Sequence, residues 1–149
     1  MGNKLRYLGV YILSGKTFRS CFDNAQKIFY RVFNAVFGRY GRYASEEIIL
    51  NLIKSKCSPS LLFATEVCPL NKTELRSLNF TVTRVLMNFF RTYSDAIIRE
   101  CQNYFSFPSC DTLVKQRTLK FLREFCVSNN VLCAAFAVDA QRQLALVQT

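Results

Sequence analysis

The sequence predicts a mainly α fold: a small helical bundle of about five to seven short helices with one N-terminal β-strand or hairpin. Apolar residues recur at helical spacing along most of the chain, whereas a continuous run rich in β-branched and aromatic residues opens it and few others follow. The 149 residues, half of them hydrophobic, suit one core. We expect a helical domain over 1–128, with the strand or hairpin in 1–16, and a C-terminal tail over 129–149 that can add a helix.

The first element is a strand over residues 5–13, where Tyr, Val and Ile side chains form a nearly continuous apolar run. Ser14-Gly15-Lys16 follows it as a turn signal. Few other β-branched runs occur downstream, so this strand lacks an obvious partner. We therefore expect open hydrogen-bonding groups along its edges, as at a point where part of a larger protein is missing.

The next segment predicts an amphipathic helix that ends at Gly38, with Lys27 and Arg31 on its polar face. Its apolar positions are 22, 25, 29, 32, 33 and 36. A short connection with two glycines and two arginines, residues 38–43, leads to Ser45. Ser45 is a typical N-cap, and the acidic turn after it favours the positive end of a second helix.

Two further helices have clear start signals. Ser58-Pro59 suits an N-cap followed by proline at the first helical position, which predicts a helix over 59–67. Asn71 and Glu74 have the spacing of a capping box, and the longest apolar stripe of the chain follows them.

The last predicted helices are shorter or more polar. Ser94 or Asp95 caps one of them, and Phe107-Pro108-Ser109 ends it. A helix over 111–127 follows, with its basic residues turned largely away from its apolar face.

The net charge is +10, and the excess is concentrated at the start of the chain. Residues 1–43 hold eight basic residues against Asp23 alone, whereas the remaining residues carry a net charge of only +3. Such a local excess raises the affinity for polyanions, which here means nucleic acid or an anionic membrane surface. An ordinary basic protein is the alternative interpretation.

The composition argues against several classes of site. The seven cysteines are odd in number, none has Cys-x-x-Cys spacing, and histidine is absent, so zinc fingers and ribbons are excluded. The aspartates are isolated and no glycine-rich phosphate loop occurs. We expect no catalytic residue, metal ion or cofactor, no membrane partner, and a reduced intracellular location, nuclear or cytoplasmic.

The candidate binding residues are basic side chains interleaved with aromatic ones: Lys27, Arg31, Arg39, Arg42 and Tyr43. Cations can neutralise phosphates while rings pack on sugars or bases, which favours nucleic acid as the partner. The alternative is that most of the neighbouring aromatic side chains belong to the core. The basic side chains then lie on the solvent-exposed side of the same segment.

Several segments in succession resemble the non-LTR (LINE-type) retrotransposon reverse transcriptases, where the chain leaves the catalytic palm and enters the helical thumb. Their order and spacing agree over roughly residues 4–126. The segments are Lys4-Leu5-Arg6-Tyr7-Leu8-Gly9-Val10, Phe29-Tyr30-Arg31-Val32-Phe33-Asn34-Ala35-Val36-Phe37-Gly38, Ser45-Glu46-Glu47-Ile48, Ser60-Leu61-Leu62-Phe63-Ala64-Thr65-Glu66 and Leu78-Asn79-Phe80-Thr81-Val82-Thr83-Arg84.

The resemblance implies a thumb that grips a template–primer duplex, with Tyr7, Leu8 and Gly9 matching the hairpin that supports the primer terminus. Such a grip reads mostly backbone and shape. The basic candidates fall in the first thumb helix and the turn after it. The family's Tyr/Phe-Ala-Asp-Asp motif does not occur in this chain, so the resemblance implies a non-catalytic fragment that binds RNA or DNA.

A different class of function fits the same composition. The alternative prediction is a small helical protein–protein interaction module with no nucleic-acid role. Its apolar faces would dock onto a partner protein or onto a second copy of the chain. Aromatic residues make up 14% of the chain, which suits an adhesive surface. The positive charge would then serve solubility only.

Overall fold

A computed structural model describes residues 3–149 and confirms the mainly α fold with a small N-terminal sheet. The strands are β1 (Lys4–Tyr7), β2 (Val10–Leu13) and β3 (Arg19–Cys21). The helices are α1 (Asp23–Tyr40), α2 (Glu46–Leu52), α3 (Ser58–Leu61), α4 (Lys72–Phe90), α5 (Asp95–Tyr104), α6 (Cys110–Val127), α7 (Val131–Ala135) and α8 (Ala137–Gln148). A π-helical segment, Ile53–Cys57, joins α2 to α3.

The hairpin, one of the two forms predicted for the N-terminus, is confirmed, whereas the expectation that the opening strand lacks a partner was wrong. The apolar run divides at Leu8 and Gly9 into β1 and β2, which pair antiparallel, and β3 pairs with the other edge of β2. Leu8 and Gly9 have positive φ angles of 48° and 83°, as a tight two-residue hairpin turn requires. Leucine rarely adopts this conformation, so the turn had no clear sequence signal. This pairing removes the unpartnered strand as a reason to expect a missing part.

Replacing Leu8 with asparagine should raise the free energy of unfolding by about 0.5 to 1 kcal/mol, because asparagine tolerates positive φ better than leucine. Leu8 is 76% exposed, so little buried contact is lost. The midpoint of urea unfolding measures the change. The control is Leu5→Asn on β1, where the side chain is 66% exposed and the backbone is extended. An equal gain in the control would contradict the turn-strain explanation.

Helix α1 does not end at Gly38, as the sequence predicted, but continues to Tyr40. One glycine inside a helix costs only about 1 kcal/mol relative to alanine, and aromatic packing of Phe37 on Phe33 and Phe89 outweighs it. The chain turns at Gly41, where a Cβ would lie 2.5 Å from the carbonyl oxygen of Phe37. Arg39 is therefore helical, whereas Arg42 and Tyr43 lie in the turn.

The separate helix predicted over 59–67 was also wrong. The helical backbone runs without a break from α2 through Ile53–Cys57 to α3, and the chain leaves it after Leu61. The amide of Ser58 donates to the carbonyl oxygen of Ile53, five residues back. Pro59 has no amide hydrogen and its ring needs room beside the preceding turn, and the wider π turn supplies that room.

Two predicted caps are confirmed by their hydrogen bonds, whereas Ser94 precedes α5 without a side-chain capping bond. Asn71 and Glu74 form the capping box, with both of its hydrogen bonds at 2.8 Å. Ser45 accepts from the amide of Ile48 at 3.5 Å. Ser109, the last residue of the predicted break, is the N-cap of α6 and accepts from the amide of Thr112 at 3.3 Å.

The core lies where α1, the α2–α3 helical run and α4 meet. Its fully buried side chains include Phe29, Ile53, Leu61, Leu78 and Leu86. The C-terminal tail forms α7 and α8, and α8 packs on α6 with Ala140 buried. Over residues 3–149, no helix is both long enough and apolar enough to cross a lipid bilayer.

Candidate nucleic-acid interface

Helix α1 has one buried and one exposed side. Phe29 and Phe33 are buried in the core, at 0% and 3% exposure. Lys27, Arg31 and Arg39 are exposed on the opposite side, separated by steps of about one or two helical turns. The basic side chains of α1 are therefore not used to hold the core together.

The cations of α1 and of the turn after it differ from the paired basic residues elsewhere in the chain. In the described part of the chain, Lys27, Arg31, Arg39 and Arg42 take part in no ion pair. Other basic residues are paired, among them Arg117, whose Nε lies 3.3 Å from Oε2 of Glu66. Unpaired exposed cations remain available to phosphates.

A shallow hollow of about 570 Å³ lies between two of these cations, and we call it the α1 hollow. Arg31 and Arg39 lie at its sides, eight residues apart on the same row of the helix. Its lining is otherwise mostly apolar and includes the small side chain of Ala35. Two guanidinium groups therefore flank a surface on which a sugar–phosphate chain can lie.

A second cavity of about 500 Å³ lies between the sheet, α1 and α3, and we call it the hairpin cleft. Its lining residues are Arg6, Gly9, Val10, Tyr11, Cys21, Phe22, Asn24, Ala25, Ile28, Lys56, Pro59, Ser60 and Phe63. Arg6 and Lys56 are the charged residues of this lining, and both are positive.

The two cavities open on the same side of α1. Asn24 and Ile28 line the hairpin cleft, and Arg31, Ala35 and Arg39 line the α1 hollow. At 100° per residue these positions fall on one face of a helix. From residue 24 to residue 39 this face is about 22 Å long at 1.5 Å per residue. The described lining of both cavities contains cations and no carboxylate.

The structure brings some of the predicted site residues together and separates others. Arg31 and Arg39 share the α1 hollow, and Gly9 lines the hairpin cleft. Lys27 lies on the same exposed helix face without lining either cavity. Tyr43, at 89% exposure, projects from the turn beyond the end of α1.

The other hairpin candidates are surface residues. Tyr7 is 62% exposed at the end of β1, and Leu8 is 76% exposed in the turn. The aromatic side chains interleaved with the basic candidates differ in burial. Phe29 belongs to the core, as the alternative interpretation predicts, whereas Tyr40 is 44% exposed.

Sequence reasoning missed three residues of the hairpin cleft: Arg6, Lys56 and Phe63. Lys56 reaches the cleft from the π-helical segment, where the sequence had predicted a break between helices. Phe63 lies in the segment 60–66 that carries part of the resemblance. The sequence did not indicate that this side chain is 52% exposed. These residues meet only because the sheet packs beside α1 and α3.

Two buried thiols have raised pKa values. Burial raises the pKa of Cys57 to about 11. Burial, with a smaller contribution from the charge of Asp111, raises the pKa of Cys110 to about 12. Both groups are neutral thiols near pH 7, whereas the thiolate is the reactive form.

Comparison with known proteins found no matching family model, no matching curated protein and no matching solved structure. The features of the described residues that bear on function are the exposed basic face of α1 and the two cavities beside it.

Proposed function

We propose that this chain is a non-catalytic nucleic-acid-binding domain, similar to the thumb of a LINE-type retrotransposon RNA-directed DNA polymerase. Its ligand is the backbone of RNA or DNA, in the form of a template–primer-like duplex. The observation that carries the proposal is the exposed face of α1, where Lys27, Arg31 and Arg39 are free of carboxylate partners.

The length of this face suits a duplex. Lys27 and Arg39 are twelve residues apart, or about 18 Å along the helix axis. A strand of B-form DNA carries a phosphate about every 3.4 Å along its axis, so this length faces about five phosphates of one strand. Arg42, in the turn after α1, extends the positive surface beyond the helix. Contacts of this kind read backbone rather than base sequence.

The four aspartates have local structural uses in this fold. Asp95 and Asp111 lie in the first turns of α5 and α6, where carboxylates stabilise the helix dipole. Asp23 pairs with Lys4 and Asp139 pairs with Arg142. Two-metal nucleotidyl transfer needs carboxylates grouped around two cations, and residues 3–149 offer no group of three or more metal-binding side chains.

A salt series tests the proposal. With three to four phosphate contacts, the logarithm of the association constant for a DNA duplex should fall with the logarithm of salt concentration with a slope of about −3. Filter binding should then show a loss of about 40- to 150-fold between about 50 and 200 mM salt. An affinity that stays flat over this range would contradict phosphate contacts.

The free state of all seven cysteines fits a reduced intracellular location, nuclear or cytoplasmic.

One observation favours the alternative, a protein–protein interaction module. The C-terminal segment exposes a run of apolar side chains: Val131 at 83%, Leu132 at 71%, Phe136 at 57%, Val138 at 69% and Leu146 at 72%. Such a surface can dock onto a partner protein or support self-association. Docking through apolar side chains does not weaken as salt rises, so the salt series separates the two functions.

A further inference from the structure

A groove of about 960 Å³ lies between α4, α5 and the start of α6, and we call it the α4–α5 groove. Its volume falls within the range of about 300 to 1,000 Å³ usual for ligand sites. None of its lining residues belongs to α1 or to the sheet, so the groove is separate from the proposed nucleic-acid interface. A ligand bound here would be a second partner of the chain.

The floor of the groove is apolar. Val82, Ile98 and Phe107 line it and are buried, at 5%, 1% and 5% exposure. Phe80 of α4 also lines the groove but is 61% exposed, so much of its ring has no protein partner. An apolar side chain of a ligand can therefore pack on Phe80 above this floor.

One face of α5 forms a polar wall. The residues of α5 that line the groove are Asp95, Ile98, Arg99, Gln102 and Asn103, which fall on one side of a helix. From residue 95 to residue 103 this wall is about 12 Å long at 1.5 Å per residue. About four residues of an extended peptide span the same length, at about 3.3 Å each. The side-chain amides of Gln102 and Asn103 can donate to the carbonyl groups of a peptide backbone and accept from its N–H groups.

The groove presents charges of both signs, unlike the cavities beside α1. Arg76 and Arg99 line it, and neither forms an ion pair within the described range 3–149. Asp95 and Asp111 line it as well, and these carboxylates repel a nucleic-acid backbone, which is negative at every nucleotide. A peptide backbone is neutral, and one acidic side chain of a peptide can form charge-assisted hydrogen bonds with the arginines. The charges therefore favour a peptide over a nucleic-acid strand.

Hydrogen bonds hold the groove in shape at its α6 end. Oδ1 of Asn79 accepts from the amide of Cys110 at 3.0 Å, and Nδ2 of Asn79 donates to Oδ2 of Asp111. The amide of Phe107 donates to the carbonyl oxygen of Gln102 at 2.7 Å and fixes the segment that follows α5. Because little of the protein must be ordered when a ligand enters, more of the interaction energy contributes to affinity.

We propose that the α4–α5 groove binds an extended peptide segment of a partner protein. An acidic side chain of the peptide lies at Arg76 and Arg99, and an apolar side chain packs on Phe80. The peptide backbone forms hydrogen bonds with the amides of Gln102 and Asn103. The groove thus recruits a protein through a site that the proposed nucleic-acid function does not use.

The test uses the full chain and a phage-displayed library of random dodecapeptides, selected at about 150 mM salt. We expect enrichment of peptides that combine an acidic residue with an apolar one. Fluorescence polarisation of a labelled synthetic copy then measures the affinity of the strongest of them. Failure to enrich any peptide, or enrichment of peptides without acidic residues, would overturn the proposal.

The variant Arg76→Glu/Arg99→Glu should bind the selected peptide at least about tenfold more weakly, because each change replaces a pairing charge with a repelling one. The matched control is Lys16→Glu/Arg123→Glu. This control makes the same change in net charge at exposed residues that lie outside the groove and form no ion pair within residues 3–149. The control should lose less than about threefold. A loss of the same size in the control would show that net charge, and not the groove, holds the peptide.

A second and independent variant, Phe80→Ala, should weaken the peptide about fivefold, because it removes the exposed ring. An unchanged affinity would overturn the assignment of the apolar side chain to Phe80. Single-stranded and double-stranded DNA oligonucleotides form a third arm, and the chain should bind DNA and the peptide at the same time. Displacement of the peptide by either DNA would assign the groove to nucleic acid and overturn the peptide proposal.

The groove proposal and the proposed function fail separately. Salt-dependent duplex binding with no enriched peptide would overturn the groove proposal alone. Peptide binding that is lost in Arg76→Glu/Arg99→Glu, by a chain that binds no duplex, would support the groove proposal and overturn the proposed function.

Discussion

The double variant Arg31→Glu/Arg39→Glu should bind a DNA duplex about 100-fold more weakly than the unchanged chain at about 100 mM salt. Each replacement removes a phosphate contact and adds a repulsive charge at the α1 hollow. The slope of the salt dependence should also become shallower by about 2, because two fewer counterions are released. Filter binding across a salt series measures both quantities.

The matched control is Lys115→Glu/Arg123→Glu, which makes the same change in net charge on α6. Both side chains are exposed and neither is in an ion pair within the described residues. At about 100 mM salt charges further apart than about 10 Å are largely screened, so the control should lose less than about fivefold. Equal losses in the two variants would contradict a specific site on α1.

Circular dichroism of both variants should show unchanged helix content, because Arg31 and Arg39 are exposed. The same pair of variants tests the alternative function. Docking through the apolar residues of α7 and α8 should be unaffected by charge reversal on α1.

Raising the pH from 8 to 10.5 should lower the free energy of unfolding by about 2 to 4 kcal/mol through Cys57 and Cys110 alone. Burial raises the pKa of the two thiols to about 11 and about 12 in the folded chain, against 9.0 in the unfolded one. Their stabilising contribution is complete below pH 9. Above pH 9 the unfolded state loses these protons first, so stability falls until the folded pKa values are passed.

Urea unfolding at pH 8, 9.5 and 10.5 measures this effect, and the variant Cys57→Ala/Cys110→Ala isolates it. The variant should be less stable at pH 8, because two buried side chains are shortened, but its stability should depend less on pH. The control is Cys133→Ala in the C-terminal segment, where the thiol is only partly buried. If the double variant loses as much stability as the unchanged chain between pH 8 and 10.5, the thiols are not the cause.

Local sequence signals predicted the parts of the fold that local hydrogen bonds decide. The capping box of Asn71 and Glu74 and the cap at Ser45 depend on residues three positions apart, so neighbours in sequence contain the information. The amphipathic spacing likewise predicted α1 and its buried Phe29. Three predictions from local sequence were wrong, at Leu8, Gly38 and Pro59, because packing against distant segments decides the structure there.

The candidate site divides in the same way. The exposure of Lys27, Arg31 and Arg39 follows from the sequence, because burying an unpaired charge costs much more free energy than leaving it in water. The hairpin cleft does not follow from it, since Arg6, Lys56 and Phe63 come from separate elements.

The sequence by itself therefore determined the helical class, most helix starts and the exposed basic positions Lys27 and Arg31 of α1, all of which depend on spacing within a few residues. The tertiary structure alone decided that the opening run folds back as a hairpin, that the helix passes through Pro59 and that a cleft forms beside Phe63. Those outcomes depend on contacts between segments up to about fifty residues apart, and no pattern within one segment contains that information.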